Sequence, residues 1–172
     1  DVYKRQDKNN KHIANKIRVV DDKSFSTEGD INSALLFGQN LFNQAGKFIT
    51  IVEGELDALA AYQMLGSKWP VVSVKSASTA LRDCKKNISY LSQFENVVLC
   101  FDNDKAGKKA TDDVANLFPP GVAKLVTLED YKDASDYLKN NKQKLFTDTW
   151  WNQKTYTPDG IVCFSDMWDI LN

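Results

Sequence analysis

The sequence has little of what marks metal-thiolate sites, disulfide frameworks or membrane segments. Its 172 residues include one histidine and three cysteines, and the cysteines form no CxxC pair. A zinc site is therefore not expected, and Cys84, Cys100 and Cys163 are interpreted as reduced structural thiols of an intracellular protein. No apolar run approaches the roughly 20 residues of a membrane span, and no signal-peptide pattern is present, so we expect no contact with a membrane.

An excess of charge of one sign is also lacking, because 22 basic and 23 acidic residues leave a net charge of −1. This balance neither favours nor opposes a polyanionic partner, so any contact with nucleic acid must come from local patches. The chain is long enough for one ordinary domain with some extra structure, and its 42% of hydrophobic residues suffice for a core.

Three short apolar runs, each typical of a buried strand, are followed by acidic residues and then by a helical pattern. The acidic residues arrive in a fixed order: Glu53 and Asp57 after residues 48–52, Asp102 and Asp104 after 96–101, and Asp133 after 122–126. Strands that alternate with helices predict an α/β fold with a parallel sheet, which binds ligands beyond the carboxyl ends of its strands. We therefore expect these carboxylates to meet at one edge of the sheet.

Carboxylates collected at one edge require a compensating cation. Two of them about 5 Å apart repel each other by roughly 3 kcal/mol at an effective dielectric constant near 20. Hard oxygen ligands in an incomplete shell suit Mg²⁺, with Mn²⁺ as an alternative and phosphate oxygens completing the shell. Each acidic motif alone also fits an ordinary helix cap or solvated turn, but their shared order and placement at successive strand ends favour a common site.

Four parts can be distinguished along the chain. Residues 1–6 have the sequence that a widely used transposase sequencing adapter encodes in one reading frame. We interpret them as a library scar and leave them out of the fold; the alternative is a native extended strand. Residues 7–46 predict a small β-rich or irregular unit, 47–141 the α/β unit, and 142–172 a terminal helix and a linker. Helical spacing predicts helices, weakly in the first case, over 32–42, 55–65, 106–118, 133–140 and 142–151.

Three motifs in this order carry a family resemblance: EGxxDA at 53–58, DxD at 102–104 and KDxx(D/N) at 132–136. Together they resemble the TOPRIM domain, which primases, type IA and type II topoisomerases and some nucleases share. Residues 7–29 and 150–162 extend the similarity to the amino-terminal primase subdomain and the helicase linker of short-tailed-phage primase-helicases, relatives of mitochondrial Twinkle. The resemblance implies a Rossmann-like, mainly parallel four-stranded sheet flanked by helices and preceded by a small β-rich subdomain.

The resemblance implies a DNA primase fragment that synthesises short RNA primers from ribonucleoside triphosphates on single-stranded DNA during phage replication. It assigns catalysis to Glu53, Asp57, Asp102 and Asp104, and Mg²⁺ binding to Glu53, Asp102, Asp104 and Asp133. Glu53 is either a metal ligand or a general base. The basic candidates for nucleotide or template binding are Lys16, Arg18, Lys23 and Lys105, and an ordinary charged surface is the alternative for all four.

The implied setting is the cytoplasm of a phage-infected bacterium, with a helicase domain in the same protein that assembles rings. Two features depart from the family pattern. This chain contains neither the zinc-binding module that reads the template nor the GxxxxGK[ST] phosphate loop of a helicase motor. In addition, Lys75 stands where relatives carry a glycine-richer loop, and it either alters nucleotide contacts or is simply exposed.

Two other functions use the same fold. A TOPRIM nuclease or topoisomerase fragment would employ the same acids, but a topoisomerase needs a nucleophilic tyrosine, and neither Tyr90 nor Tyr131 has a suitable sequence context. A non-catalytic scaffold of a replicative helicase is the third interpretation. Retention of every acidic residue opposes it, because nothing structural requires them.

Overall fold

The computed structural model describes residues 1–22, 24–42 and 44–158. Lys23, Cys163 and the part of the predicted linker beyond residue 158 lie outside the described residues. Within those three ranges, no helix is long and apolar enough to cross a bilayer.

A small antiparallel sheet comes first in the chain. Its strands are β1 (Val2–Gln6), β2 (His12–Arg18) and β3 (Phe25–Gly29), with β2 in the middle. Lys16 and Arg18 are two residues apart on β2 and therefore project from the same face of the sheet. The predicted small β-rich unit is thus confirmed.

Leaving residues 1–6 out of the fold was wrong, because Val2–Gln6 pair with β2 along its length. Tyr3 and Arg5 alternate with exposed neighbours and are buried. The Arg5 guanidinium forms an ion pair with the carboxylate of Glu55, a residue of the α/β unit. The origin of these six residues as an adapter scar stays a prediction.

Strands and helices alternate through the rest of the chain: β4 (Gly46–Val52), α1 (Glu55–Met64), β5 (Val71–Ser73), α2 (Ala80–Lys86), α3 (Ile88–Leu91), β6 (Phe94–Cys100), α4 (Lys105–Ala115), β7 (Ala123–Leu125), α5 (Ala134–Lys139), α6 (Gln143–Trp151) and β8 (Lys154–Thr155). The strands form one sheet in the order β5-β4-β6-β7-β8, in which only β8 is antiparallel to its neighbour. The predicted α/β fold with a mainly parallel sheet is confirmed. The fifth strand was not predicted, because two residues carry no periodicity.

The central strands β4 and β6 are buried on both faces, as their continuous apolar sequences indicate. Ile51 and Leu99 enter a core beneath α2, α3 and α4, whereas Phe48 and Val98 enter a second core beneath α1, α5 and α6. Thr50 is polar but fully buried in β4, and its hydroxyl accepts a 3.0 Å hydrogen bond from the indole N–H of Trp150 in α6. This bond attaches the last helix to the middle of the sheet.

Four predicted helices are confirmed with small shifts of their ends: 55–65, 106–118, 133–140 and 142–151. The weak helix predicted over 32–42 is wrong, because only Gln39–Leu41 form a short 3-10 turn. Gly38 precedes that turn with φ of 84°, a left-handed conformation that interrupts a helix. The Leu36 backbone N–H also donates to the Gln39 side chain, whereas in a regular helix it would donate to the carbonyl four residues earlier.

Candidate active site

The acidic residues that follow β4, β6 and β7 meet at the carboxyl edge of the sheet, as predicted. A cavity of about 410 Å³ opens there between the two sheets. Its lining includes five acidic and five basic residues: Glu53, Glu55, Asp57, Asp102 and Asp133, and Lys16, Arg18, Lys75, Lys132 and Lys139. Asp104 lies beside the cavity and is joined to it by an ion pair with Lys132.

Glu53 is the first residue after β4 and is half-buried. Burial is the main cause that raises the pKa of Glu53; the Ala77 backbone amide opposes the rise, and the charges of Asp104 and Asp57 add to it. The Oε2 atom of Glu53 is buried and has no hydrogen-bond partner among the described residues. Leaving such an atom unpaired costs on the order of 1–3 kcal/mol, so a cation or donor at this point would be stabilising.

Asp57 lies in the first turn of α1, four residues after Glu53. Its Oδ1 accepts hydrogen bonds from the backbone N–H and the hydroxyl of Ser135 at 3.1 and 2.6 Å, which link α1 to α5. Burial raises the pKa of Asp57 to about 6; the Ser135 bonds oppose this rise, and the charges of Asp133 and Asp102 reinforce it. The folded chain therefore holds this carboxylate at the cavity at a cost to its stability.

Asp102 and Asp104 follow β6 and share one cation. The Lys132 ammonium lies 3.1 Å from Oδ2 of Asp102 and 3.5 Å from Oδ2 of Asp104. The Lys132 carbonyl accepts the backbone N–H of Asn103 at 2.9 Å, which holds the two loops side by side. Burial still raises the pKa of Asp102 to about 6, and the charge of Glu53 adds to the rise. The two carboxylates thus converge as predicted, and a lysine lies between them.

Asp104 and Asp133 also cap helices. Oδ1 of Asp104 accepts the Gly107 N–H at 2.9 Å, which lowers the pKa of Asp104, and Oδ1 of Asp133 accepts the Asp136 N–H at 2.8 Å. Gly107 is required here, because a Cβ atom would lie 2.1 Å from the Asp102 carbonyl oxygen. Each cap uses one carboxylate oxygen, so capping is compatible with a second role for the other.

In the part of the chain that the structure describes, no three carboxylate, histidine or cysteine side chains form a ready metal cluster. Lys132 stands between Asp102 and Asp104, and Ser135 engages Asp57. The donor set nevertheless suits a hard cation, because the acidic oxygens exceed the ammonium groups bonded to them and Glu53 Oε2 is unpaired. The catalytic and metal-binding roles of these acids stay predictions.

Two of the predicted basic residues reach the cavity from β2. The Lys16 ammonium donates to Oε2 of Glu55 at 2.9 Å and to the Lys75 carbonyl at 2.7 Å. The Arg18 guanidinium lies 5.9 Å from the centre of the Phe25 ring, and its buried Nε has no partner among the described residues. Arg18 can therefore still donate to a ligand, whereas Lys16 is already engaged.

Of the remaining basic candidates, Lys105 is not brought to the cavity. Lys105 is the first residue of α4, is exposed and is not among the lining residues. Lys23 lies outside the described residues. Lys75 is not simply exposed, as one alternative held: its side chain is 13% exposed, and its ammonium lies 2.8 Å from Oδ1 of the buried Asp83.

Sequence reasoning missed Glu55 and Lys132. Glu55 is 3% exposed and pairs with both Arg5 and Lys16, so it joins the two sheets at the cavity. Glu55 lies between Glu53 and Asp57 in the sequence, and nothing in this local pattern predicts that its side chain is buried. Lys132 did carry a signal, because it is the first residue of the KDxx(D/N) motif.

Comparisons with known proteins agree with this geometry. A model of the Toprim-like family matches residues 50–138. The chain is 37% identical over 158 residues to the DNA helicase/primase of Enterobacteria phage T3, a match that covers 91% of this chain and 27% of that protein. The chain thus spans about a quarter of the length of this relative.

Solved structures of primases share this fold. The primase fragment of the bacteriophage T7 primase-helicase has a TM-score of 0.79 at 36% identity, covering 87% of this chain and 62% of that one. The zinc-binding and RNA polymerase domains of Aquifex aeolicus primase share the fold with a TM-score of 0.67 at 20% identity, covering 90% of this chain and 40% of that one. The family match extends over just over half of the chain and includes all five acids, so this chain belongs to the Toprim-like family.

Proposed function

We propose that this chain is the primer-synthesising part of a DNA primase within a longer primase-helicase. The observation that carries the proposal is a single cavity in which acids from three strand ends face Lys16 and Arg18 of a separate sheet. Nucleotide polymerisation needs both groups, because carboxylates hold the metal and basic side chains hold the phosphates. The similarity to the T3 and T7 primase-helicases supports this function over other uses of the fold.

The proposed substrates are ribonucleoside triphosphates and a single-stranded DNA template. The proposed setting is the cytoplasm of a phage-infected bacterium, where a helicase domain in the same protein assembles into rings. Support for the larger assembly comes from the T3 relative, which is named a DNA helicase/primase and is far longer than this chain.

In the proposed reaction, the 3′-hydroxyl of one nucleotide attacks the α-phosphorus of a ribonucleoside triphosphate. A P–O bond forms, the bond to pyrophosphate breaks, and the hydroxyl proton is lost. Glu53, Asp102, Asp104 and Asp133 would hold Mg²⁺ or Mn²⁺, which would neutralise charge on the phosphate oxygens. Glu53 acts as a metal ligand or accepts the hydroxyl proton, since its Oε2 is free and its pKa is raised.

The basic residues bind the phosphates and the template. Arg18 offers its unpaired Nε from the wall opposite the acids. Lys16 is oriented by Glu55 and contributes positive charge at the same wall. Lys23 and Lys105 are the further candidates for template contact, with Lys105 placed outside the cavity.

Primer synthesis tests this proposal directly. The complete protein, incubated with Mg²⁺, labelled ribonucleoside triphosphates and single-stranded templates, is expected to yield short oligoribonucleotides. Asp102→Asn is expected to lower the yield at least about 100-fold, because it removes charge that stabilises the transition state. Asp113→Asn is the control, since Asp113 of α4 is partly exposed and, among the described residues, forms an ion pair only with Lys109. An unchanged yield with Asp102→Asn would overturn the catalytic assignment.

The same incubation separates the alternatives. Cut strands without new oligoribonucleotides would indicate a nuclease, and neither product would indicate a scaffold. A topoisomerase is disfavoured by the tyrosines that the sequence analysis considered. Neither Tyr90 nor Tyr131 lines the cavity, and the Tyr90 hydroxyl donates to the Phe42 carbonyl at 2.9 Å.

A further inference from the structure

We propose that Lys132 is a displaceable internal cation: its ammonium neutralises Asp102 and Asp104 until a divalent metal ion enters, and it then turns to the phosphates of the bound nucleotide. The second step rests on the proposed function. The first step does not, because metal binding can be measured without primer synthesis.

The contacts of Lys132 place its charge where a metal ion would bind. Its ammonium bonds the Oδ2 atoms of both Asp102 and Asp104, at 3.1 and 3.5 Å. A metal ion held by the carboxylates of Asp102 and Asp104 would take the place of the ammonium, because two cations cannot share that position. The backbone of Lys132 is meanwhile fixed by the bond between its carbonyl and the N–H of Asn103. Only the side chain needs to move.

The exposure of Lys132 allows this exchange. Its side chain is 57% exposed, whereas that of Asp102 is 12% exposed. The lysine therefore enters from solvent and can leave without opening the core. An exposed ammonium gains little from such a pair, so a divalent ion can replace it.

The other lysines of the cavity cannot substitute for Lys132, because each is bonded to a different acid: Lys16 to Glu55, Lys75 to Asp83, and Lys139 to Asp136. A unit charge about 5 Å from a divalent ion weakens its binding roughly tenfold even at the dielectric constant of water. The presence of Lys132 therefore lowers the affinity of the acidic site for a metal ion. The released ammonium remains at the same edge of the sheet, where it can bind a triphosphate.

Metal binding to the complete protein tests the first step. The probe is Mn²⁺, whose free concentration is measured by electron paramagnetic resonance at fixed pH and ionic strength. Lys132→Met keeps the length of the side chain but removes its charge, so we expect it to bind Mn²⁺ roughly tenfold more tightly than the parent protein. Equal or weaker binding would overturn the inference. Lys132→Gln provides a second neutral variant if Lys132→Met does not fold.

Lys139→Met is the matched control. Lys139 also lines the cavity and is 67% exposed, but it pairs with Asp136, which is not a proposed ligand. Its replacement is expected to change Mn²⁺ affinity less than about twofold, because its ammonium is bonded to Asp136 and not to a proposed ligand. An equal gain in both variants would show a general charge effect and would also overturn the inference.

Nucleotide kinetics test the second step. Lys132→Met is expected to raise the KM for ribonucleoside triphosphates about tenfold while metal binding tightens, because a charge-assisted hydrogen bond to phosphate is lost. An unchanged or lower KM would overturn this step. Tighter Mn²⁺ binding in a protein that makes no primers would uphold the first step and reject the primase. If the parent protein makes primers but Lys132→Met leaves the Mn²⁺ affinity unchanged, the primase function is upheld and the first step is rejected.

Discussion

At the scale of single residues, Asp57 shows how the site opposes stability. Its carboxylate is needed at the cavity by the proposed function, yet burial and neighbouring acids disfavour its charge. Ser135 offsets part of this cost with two hydrogen bonds. Active sites commonly hold such unfavourable groups, and their replacement then stabilises the protein while abolishing its activity.

We expect Asp57→Asn to stabilise the metal-free protein by about 1–2 kcal/mol near pH 7.5. One unit of pKa shift corresponds to about 1.4 kcal/mol, and the gain is reduced because a neutral amide is a weaker acceptor for Ser135. Chemical denaturation in EDTA measures the change, and primer synthesis by the same variant should be lost. A destabilised Asp57→Asn variant would contradict the electrostatic account.

The stabilisation by Asp57→Asn should increase as the pH rises. The pKa of Asp57 is about 6 in the folded chain and 3.8 ordinarily, so between these values the folded chain binds more protons than the unfolded chain. The stability contributed by Asp57 is therefore lost as pH rises from about 4 to about 6. The advantage of Asp57→Asn over the parent should be small near pH 4, grow through this range and level off above about pH 7. A constant difference across the range would contradict the assigned pKa.

At the scale of elements, residues 75–79 connect the two sheets to the site. The Lys75 ammonium and backbone N–H both bond the carboxylate of buried Asp83, and the Thr79 hydroxyl donates to the same group. The Lys75 carbonyl accepts from Lys16 of β2. Asp83 of α2 therefore fixes this loop, and the loop in turn orients Lys16 at the cavity.

Lys75→Met is expected to destabilise the protein by about 3 kcal/mol, because it removes the closer cation of the buried Asp83 carboxylate and leaves the exposed Arg82, 3.9 Å away. Adding Asp83→Asn should recover at least about 1 kcal/mol, since the second change removes the uncompensated charge. Denaturant unfolding of the parent, the two single variants and the double variant measures this coupling. Lys109→Met, which breaks an exposed pair on α4, should cost less than about 1 kcal/mol. Strictly additive effects would argue against a coupled pair.

At the scale of the whole molecule, the sequence is most informative where signals are local. The apolar runs of β4 and β6 and the acids that follow them predict the sheet and its functional edge, because parallel strands bring their carboxyl ends together. The buried pairs Arg5–Glu55 and Lys75–Asp83 were not predicted. Arg5 and Glu55 are 50 residues apart and leave no periodic trace, and the members of both pairs are charged residues, which are normally expected at the surface.

Metal binding should stabilise the molecule as a whole. If the acids bind Mg²⁺ only in the folded chain, Mg²⁺ at ten times its Kd adds about 1.4 kcal/mol to the free energy of unfolding. Thermal unfolding with and without Mg²⁺ measures this as a rise in Tm, and an excess of EDTA should remove the rise. Asp102→Asn should lose most of the rise, and Asp113→Asn should keep it. An equal rise in both variants would indicate nonspecific ion effects.

The hydrogen bond between Trp150 and Thr50 has a mechanical consequence. Thr50 stands only three residues before Glu53 on β4, so a force that pulls on α6 loads the strand that presents an acid to the cavity. A displacement of α6 would therefore be transmitted to the strand that leads to Glu53.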